Sequence, residues 1–135
     1  MNMSNNINID HLLLKAQEAL KFSKSQYSDF KVGAAFLLES GEIIMGANIE
    51  NKHFNLTICA ERVAMVKALS EGKECFKFLA LACINSLGQF SYNSFPCGSC
   101  RQFMTEYAPY LPIAIKDSPK SFKIYQLDDL LPNKD

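Results

Sequence analysis

Two short cysteine-bearing stretches constrain this chain more than anything else in it. They are Ile58-Cys59-Ala60-Glu61-Arg62 and Pro96-Cys97-Gly98-Ser99-Cys100-Arg101-Gln102. The first opens a helical pattern. Thr57 is available as a cap, an apolar-periodic run continues through Leu69, and Gly72 supplies the stop. Cys59 then falls at or near the first turn, where free N–H groups and the positive end of the helix dipole favour a thiolate. On a helix side, residues two apart point away from each other. At a helix mouth they need not, because both can face whatever lies ahead of the axis. A metal ion there would meet Cys59 as a ligand and Glu61 as a neighbouring base.

In the second stretch, Cys97 and Cys100 are three apart, with Pro96 ahead and a helical pattern behind. A helix that opens here carries both sulfurs on one side of its first turn. Two soft ligands so held are a strong metal or redox signal. With Cys59 added, three thiolates converge, which suits one Zn2+ per subunit. Zinc with three protein ligands and an open position is the catalytic pattern, and four ligands make the closed, structural one. Cys75, Cys83 and His53 are the available fourth ligands. Cys83 lies in an apolar strand pattern and His53 in a loop, so the three-cysteine reading is preferred.

Composition narrows the partners. The 135 residues are read as a single domain over 1–135, with 1–9 a loose tail, and 48% apolar content is enough for a core. Lys plus Arg equals Asp plus Glu at 14 each, without a basic run, which argues against nucleic acid as partner. No apolar stretch approaches a membrane span. The Asn-rich start lacks the charged and apolar regions of a signal peptide, so a cytoplasmic location is expected. In a reducing compartment, five cysteines are ligands or buried thiols rather than disulfides.

The spacing predicts a helix from Asp10, as cap, to about Ser25, with Leu13, Ala16 and Leu20 on its apolar face. Strands are predicted over 31–38, 43–47, 76–84, 112–116 and 123–126, and helices from Cys59 and Cys97. Glu39-Ser40-Gly41-Glu42 reads as a hairpin turn, and 127–131 as a terminal turn closed by Pro132. The order α-β-β-α-β-α-β-β gives an α/β fold, a three-layer α/β/α arrangement around a mixed five-stranded sheet. Asn48 and Glu50 fall on one side of a strand end. They are open to two readings: solvated loop residues, or a pair that holds a substrate hydroxyl.

Glu61 beside the sulfurs can take a proton from water and pass it to a reacting ring and a departing amine. Arg62 is either a surface helix residue or a cation that offsets thiolate charge. Cys-x-Glu paired with Pro-Cys-x-x-Cys is the element used by hydrolytic zinc deaminases, here with cysteine where others carry histidine.

Five ordered motifs resemble the small, three-cysteine class of cytidine deaminases. They are Tyr27-Ser28-x-Phe30-x-Val32-Gly33-Ala34-Ala35, Asn48-Ile49-Glu50-Asn51, Cys59-Ala60-Glu61-Arg62, Pro96-Cys97-Gly98-x-Cys100-Arg101-Gln102 and Leu130-Leu131-Pro132. The resemblance implies that Cys59, Cys97 and Cys100 ligate zinc and that Glu61 shuttles protons. Asn48 and Glu50 would bind ribose hydroxyls, Phe30 would pack on the pyrimidine, and the Ala60 backbone would read the base edge. Phe54 would approach a ligand across a subunit boundary, and Arg62 would neutralise thiolate charge. It further implies a homotetramer with sites at subunit contacts, acting on cytidine and deoxycytidine in pyrimidine salvage. The rival readings are deamination of another aminated pyrimidine or nucleoside analogue, and a non-catalytic zinc-stabilised binding module.

Overall fold

In this computed structural model, residues 7–130 are described. Helix α1 (Ile9–Ala19) is followed by a short 3-10 turn at Leu20–Phe22. Strands β1 (Lys31–Leu38) and β2 (Ile43–Ala47) form a hairpin. Helix α2 (Ala60–Ser70), strand β3 (Phe76–Ile84) and helix α3 (Gly98–Tyr107) come next. Strands β4 (Pro112–Ser118) and β5 (Ser121–Gln126) end in a 3-10 turn at Leu127–Leu130. The sheet order is β2-β1-β3-β4-β5. Only β3 and β4 run parallel, joined by α3, and the other pairs are antiparallel. The sheet is therefore mixed, as the sequence predicts.

The strand alternation divides the core in two. Ala34 and Phe36 of β1, Leu79 and Leu81 of β3, and Ile113 and Ile115 of β4 pack with α2 and α3. Their neighbours Ala35, Phe78, Ala80 and Ala114 pack with Leu12, Leu13 and Ala16 of α1. A strand buried on both faces needs apolar residues at successive positions, which is why β3 reads as a continuous apolar run. Among the described residues no helix is long and apolar enough to cross a membrane.

Three boundaries differ from the sequence reading. Asn8, not Asp10, caps α1, its side chain accepting the His11 N–H at 3.0 Å. Asp10 instead sits in the first turn, where its charge suits the helix dipole. Residues 7–9, assigned to a tail, are thus structured, and Ile7 and Ile9 pack on the α1 side of the sheet. The helix also ends earlier than Ser25, because Lys24 turns extended and bridges to Ile49. Residues 131 and 132 of the fifth motif lie outside the described residues.

Gly46 decides how near α2 can come to the sheet. A Cβ there would meet the backbone N of Ala64 at 2.6 Å and the Ala60 carbonyl at 2.7 Å. Both contacts are backbone, so the helix itself would have to move. Gly46→Ala is expected to destabilise the fold by about 1–3 kcal/mol, as overpacking does. The loss is read from denaturant midpoints, and an unchanged midpoint would contradict this packing.

Candidate metal centre and substrate cavity

The two cysteine stretches fold alike. Cys59 precedes α2 with φ −70° and ψ 154°, and Cys97 precedes α3 with φ −69° and ψ 160°. Both are extended cap residues whose side chains lie at a helix mouth. Thr57, the cap expected for α2, does other work. Its hydroxyl accepts the Asn51 N–H at 3.1 Å, and its carbonyl accepts from Arg62 Nη2 at 3.1 Å. At α3 the Cys97 sulfur itself caps, accepting the Cys100 N–H at 3.4 Å.

The two helix mouths face one another. Cys59 Sγ and Cys97 Sγ are 3.2 Å apart, and with Cys100 Sγ all three sulfurs lie within 4.8 Å of each other. Among the described residues no fourth His, Cys, Asp or Glu joins this cluster, and Cys75, Cys83 and His53 stand apart from it. Arg101 braces the second stretch. Its Nε donates to the Pro96 carbonyl at 2.7 Å and its Nη1 to the Leu130 carbonyl at 2.6 Å.

Charge within the cluster is unevenly shared. The Cys100 thiol donates to Cys59, and this outweighs the burial of Cys59. With help from Cys97 and the Arg62 charge, Cys59 is lowered to about 6. Cys100 is pushed up by that same hydrogen bond, then by burial and the charge of Glu61. Cys97 is raised by burial and by its contact with Cys59. One sulfur is thus ready to bind a cation, and two more give up protons when a cation draws them. Arg62 Nε is buried without a hydrogen-bond partner among the described residues. A guanidinium held beside the sulfurs with an unspent donor suits a site in which all three thiols become thiolates on a cation. Three soft sulfurs with such a counter-charge fit zinc.

Glu61 occupies the first turn of α2 and is 3% exposed. Burial raises its pKa to about 7, with the Cys59 charge adding to the rise. The Glu61 and Cys97 backbone N–H groups and Arg62 pull the other way. A carboxyl so placed holds or releases a proton near neutrality, as a general acid and base requires.

A single rung joins this centre to the Asn48/Glu50 pair. Ile49 N–H donates to the Ile58 carbonyl at 2.9 Å, and Ile58 N–H to the Ile49 carbonyl at 2.8 Å. Ile49, two residues past the end of β2, is thereby stapled to the residue before Cys59. Phe30, Asn48, Glu50, Cys59, Glu61 and Cys97 line one cavity of about 470 Å³. That volume is in the range of small-molecule sites. Phe54 also lines it and is 88% exposed. Ala60 is fully buried, its side chain belongs to the α2 core cluster, and it is not among the residues that line the cavity.

Sequence reasoning missed how Glu50 is held. Its Oε1 accepts the N–H groups of Tyr27 and Ser28 at 3.0 Å each, and its Oε2 accepts from the Ser28 hydroxyl. Slight burial works against the charge, but these hydrogen bonds outweigh it and lower the pKa. Ser28 lay inside a quoted motif, yet nothing local in the sequence links it to Glu50. Cys83 and Ser94 also line the cavity. Cys83 is pushed up to about 11 by burial, which leaves it a neutral thiol.

Residues 7–112 match the cytidine and deoxycytidylate deaminase zinc-binding region. The chain belongs to this deaminase family. A probable cytidine deaminase of Dictyostelium discoideum is 40% identical over 108 residues, covering 80% of this chain and 71% of that protein. A cytidine deaminase of Halalkalibacterium halodurans is 43% identical over 98 residues, covering 73% and 70%. The crystal structure of the Burkholderia pseudomallei cytidine deaminase superposes with a TM-score of 0.84 at 32% identity, covering 94% of this chain and 98% of the other. The mixed five-stranded sheet expected from the order of elements is therefore observed, in the deaminase fold that the resemblance implies, and zinc is the metal for which the three sulfurs are arranged.

Proposed function

We propose that this chain hydrolyses cytidine and deoxycytidine to uridine and deoxyuridine with release of ammonia. The observation that carries the reading is the meeting, in one cavity, of Cys59 and Cys97 of the sulfur cluster, a buried Glu61, and the anchored pair Asn48 and Glu50. Cys59, Cys97 and Cys100 hold the zinc, which when bound supplies the Lewis acidity that makes water a nucleophile near neutral pH. Glu61 takes the proton lost by water and delivers it to the ring nitrogen beside C4 as the oxygen adds to C4. It then takes the proton of the new C4 hydroxyl and passes it to the amine, which leaves as ammonia as the C4–N bond breaks and the C4 carbonyl forms. Phe30 packs on the pyrimidine, the Ala60 backbone meets its edge, and Phe54 borders it. Arg62 tempers the thiolate charge.

The sugar end supports a nucleoside over a free base. Glu50, held ionised by three donors, can only accept, so it takes a hydrogen bond from a ribose hydroxyl. Glu50→Ala is expected to lower kcat/KM for cytidine by about 10- to 100-fold, the worth of a charge-assisted hydrogen bond. Cytosine turnover should change little. Comparable losses on both would remove Glu50 from the sugar site.

The protein is read as a cytoplasmic enzyme of pyrimidine salvage that assembles as a homotetramer. Phe54 and Leu56, 88% and 57% exposed beside the cavity, favour assembly, since apolar side chains grouped at a rim mark a contact surface. The test is direct. Purified protein mixed with cytidine or deoxycytidine should give the ultraviolet change of the uridine product with equimolar ammonia, and sizing should give four chains. Absence of ammonia from both, with a zinc-loaded protein, would reject this reading; release from another aminated pyrimidine would then mark a different deaminase, and none from any would leave a binding module.

A further inference from the structure

The hydrogen bonds around Asn48 carry a consequence for the sugar site, resting on the nucleoside reading above. Asn48 is 7% exposed and lines the cavity. Its Oδ1 accepts the Val32 N–H at 3.0 Å and the Ser23 hydroxyl at 2.5 Å. Its Nδ2 donates to the Phe30 carbonyl at 2.9 Å. Val32 N–H can only donate and the Phe30 carbonyl can only accept, so the amide has one possible orientation. A carbonyl oxygen has two lone pairs, and both of Asn48's are taken. What remains for a ligand is the second N–H.

Ser23 reaches this position through backbone pairing. Lys24 N–H donates to the Asn48 carbonyl at 2.9 Å, and Glu50 N–H donates to the Lys24 carbonyl at 2.8 Å. The segment from Ser23 to Ser28 therefore runs behind both sugar-facing residues. At one end its serine fills the last acceptor position of Asn48, and at the other its serine and two N–H groups hold Glu50. The outcome is a donor beside an acceptor, the pair that one hydroxyl satisfies when it accepts from Asn48 and donates to Glu50.

We propose that Ser23 is a positioning residue that holds the Asn48 amide in place, so that its spare N–H stays set to donate to the sugar hydroxyl of the substrate. Without the serine hydroxyl, Oδ1 keeps only the Val32 N–H, the side chain loses one of its three anchors, and the spare N–H is no longer held in place beside Glu50. The donor-acceptor match with Glu50 is then broken, while the metal centre and Glu61 are untouched.

The experiment compares Ser23→Ala and Ser23→Thr with the unaltered protein on cytidine and on 2′,3′-dideoxycytidine, which lacks the 2′ and 3′ hydroxyls. Ser23→Ala should raise KM for cytidine about three- to tenfold, the worth of a neutral hydrogen bond, with kcat within about twofold. KM for the dideoxy substrate should not move, and Ser23→Thr, which keeps the hydroxyl, should restore the cytidine value. A purely structural role would shift both substrates together. That result, or no shift in either, overturns the proposal. If the unaltered zinc-loaded protein fails to deaminate cytidine, the nucleoside reading itself is what fails.

Discussion

Glu61→Gln should abolish turnover and spare almost everything else. A positioned general acid and base contributes about 10²–10⁴-fold, and this carboxyl is asked to move protons in both halves of the reaction, so a loss at the upper end is expected. Glutamine keeps the shape of the side chain and fills the same buried space. It also removes a group whose ionised form is disfavoured by burial. The fold should therefore hold, with an unfolding midpoint no lower than that of the unaltered protein. Zinc content should also hold, because the three sulfurs are unchanged. The decisive record is kcat alongside metal content and thermal melting of the same sample. A zinc-loaded variant retaining most of its activity would take Glu61 out of the mechanism.

Cys97→Ala should empty the metal centre without emptying the core. Of the three sulfurs, that of Cys100 belongs to a residue buried in the α2–α3 cluster, whereas Cys97 is exposed. Removing Cys97 leaves no cavity among packed side chains. It costs a cap contact to the Cys100 N–H, worth about 1 kcal/mol at most capped helices. The metal loses a third of its protein ligands. Structural zinc in zinc-finger peptides is held by roughly 10–16 kcal/mol, shared among its ligands, so losing one ligand weakens binding by orders of magnitude. Metal analysis after dialysis should find the variant stripped, its turnover gone and its circular dichroism close to native. A variant that kept zinc and activity would mean the ion sits elsewhere.

Much of this was legible before any coordinate. The continuous apolar run of β3 announces a strand covered on both faces, and α1 covers one while the cluster shared with α2 and α3 covers the other. Two cysteine stretches at helix starts announce sulfurs at helix mouths, and Cys59 and Cys97 are cap residues there. Less legible were the boundaries that depend on competition. Thr57 has the chemistry of a cap, but Asn51 and Arg62 claim its polar atoms. Asp10 has the same chemistry, but Asn8, two residues earlier, is the one whose side chain takes the His11 N–H.

Residue identity and spacing along the chain determined the elements, the metal-binding sulfurs and the neighbouring carboxylate, because a helix start and a three-residue interval are local geometry. The tertiary structure alone decided that α2 and α3 point their mouths at each other. It also decided that the Ile49–Ile58 rung brings Asn48 and Glu50 to that point, and that Ser23 and Ser28 hold them there. These partners come from segments far apart in sequence. Hydrogen bonds between such segments depend on how the sheet and its helices pack, and no periodicity within a single segment encodes that.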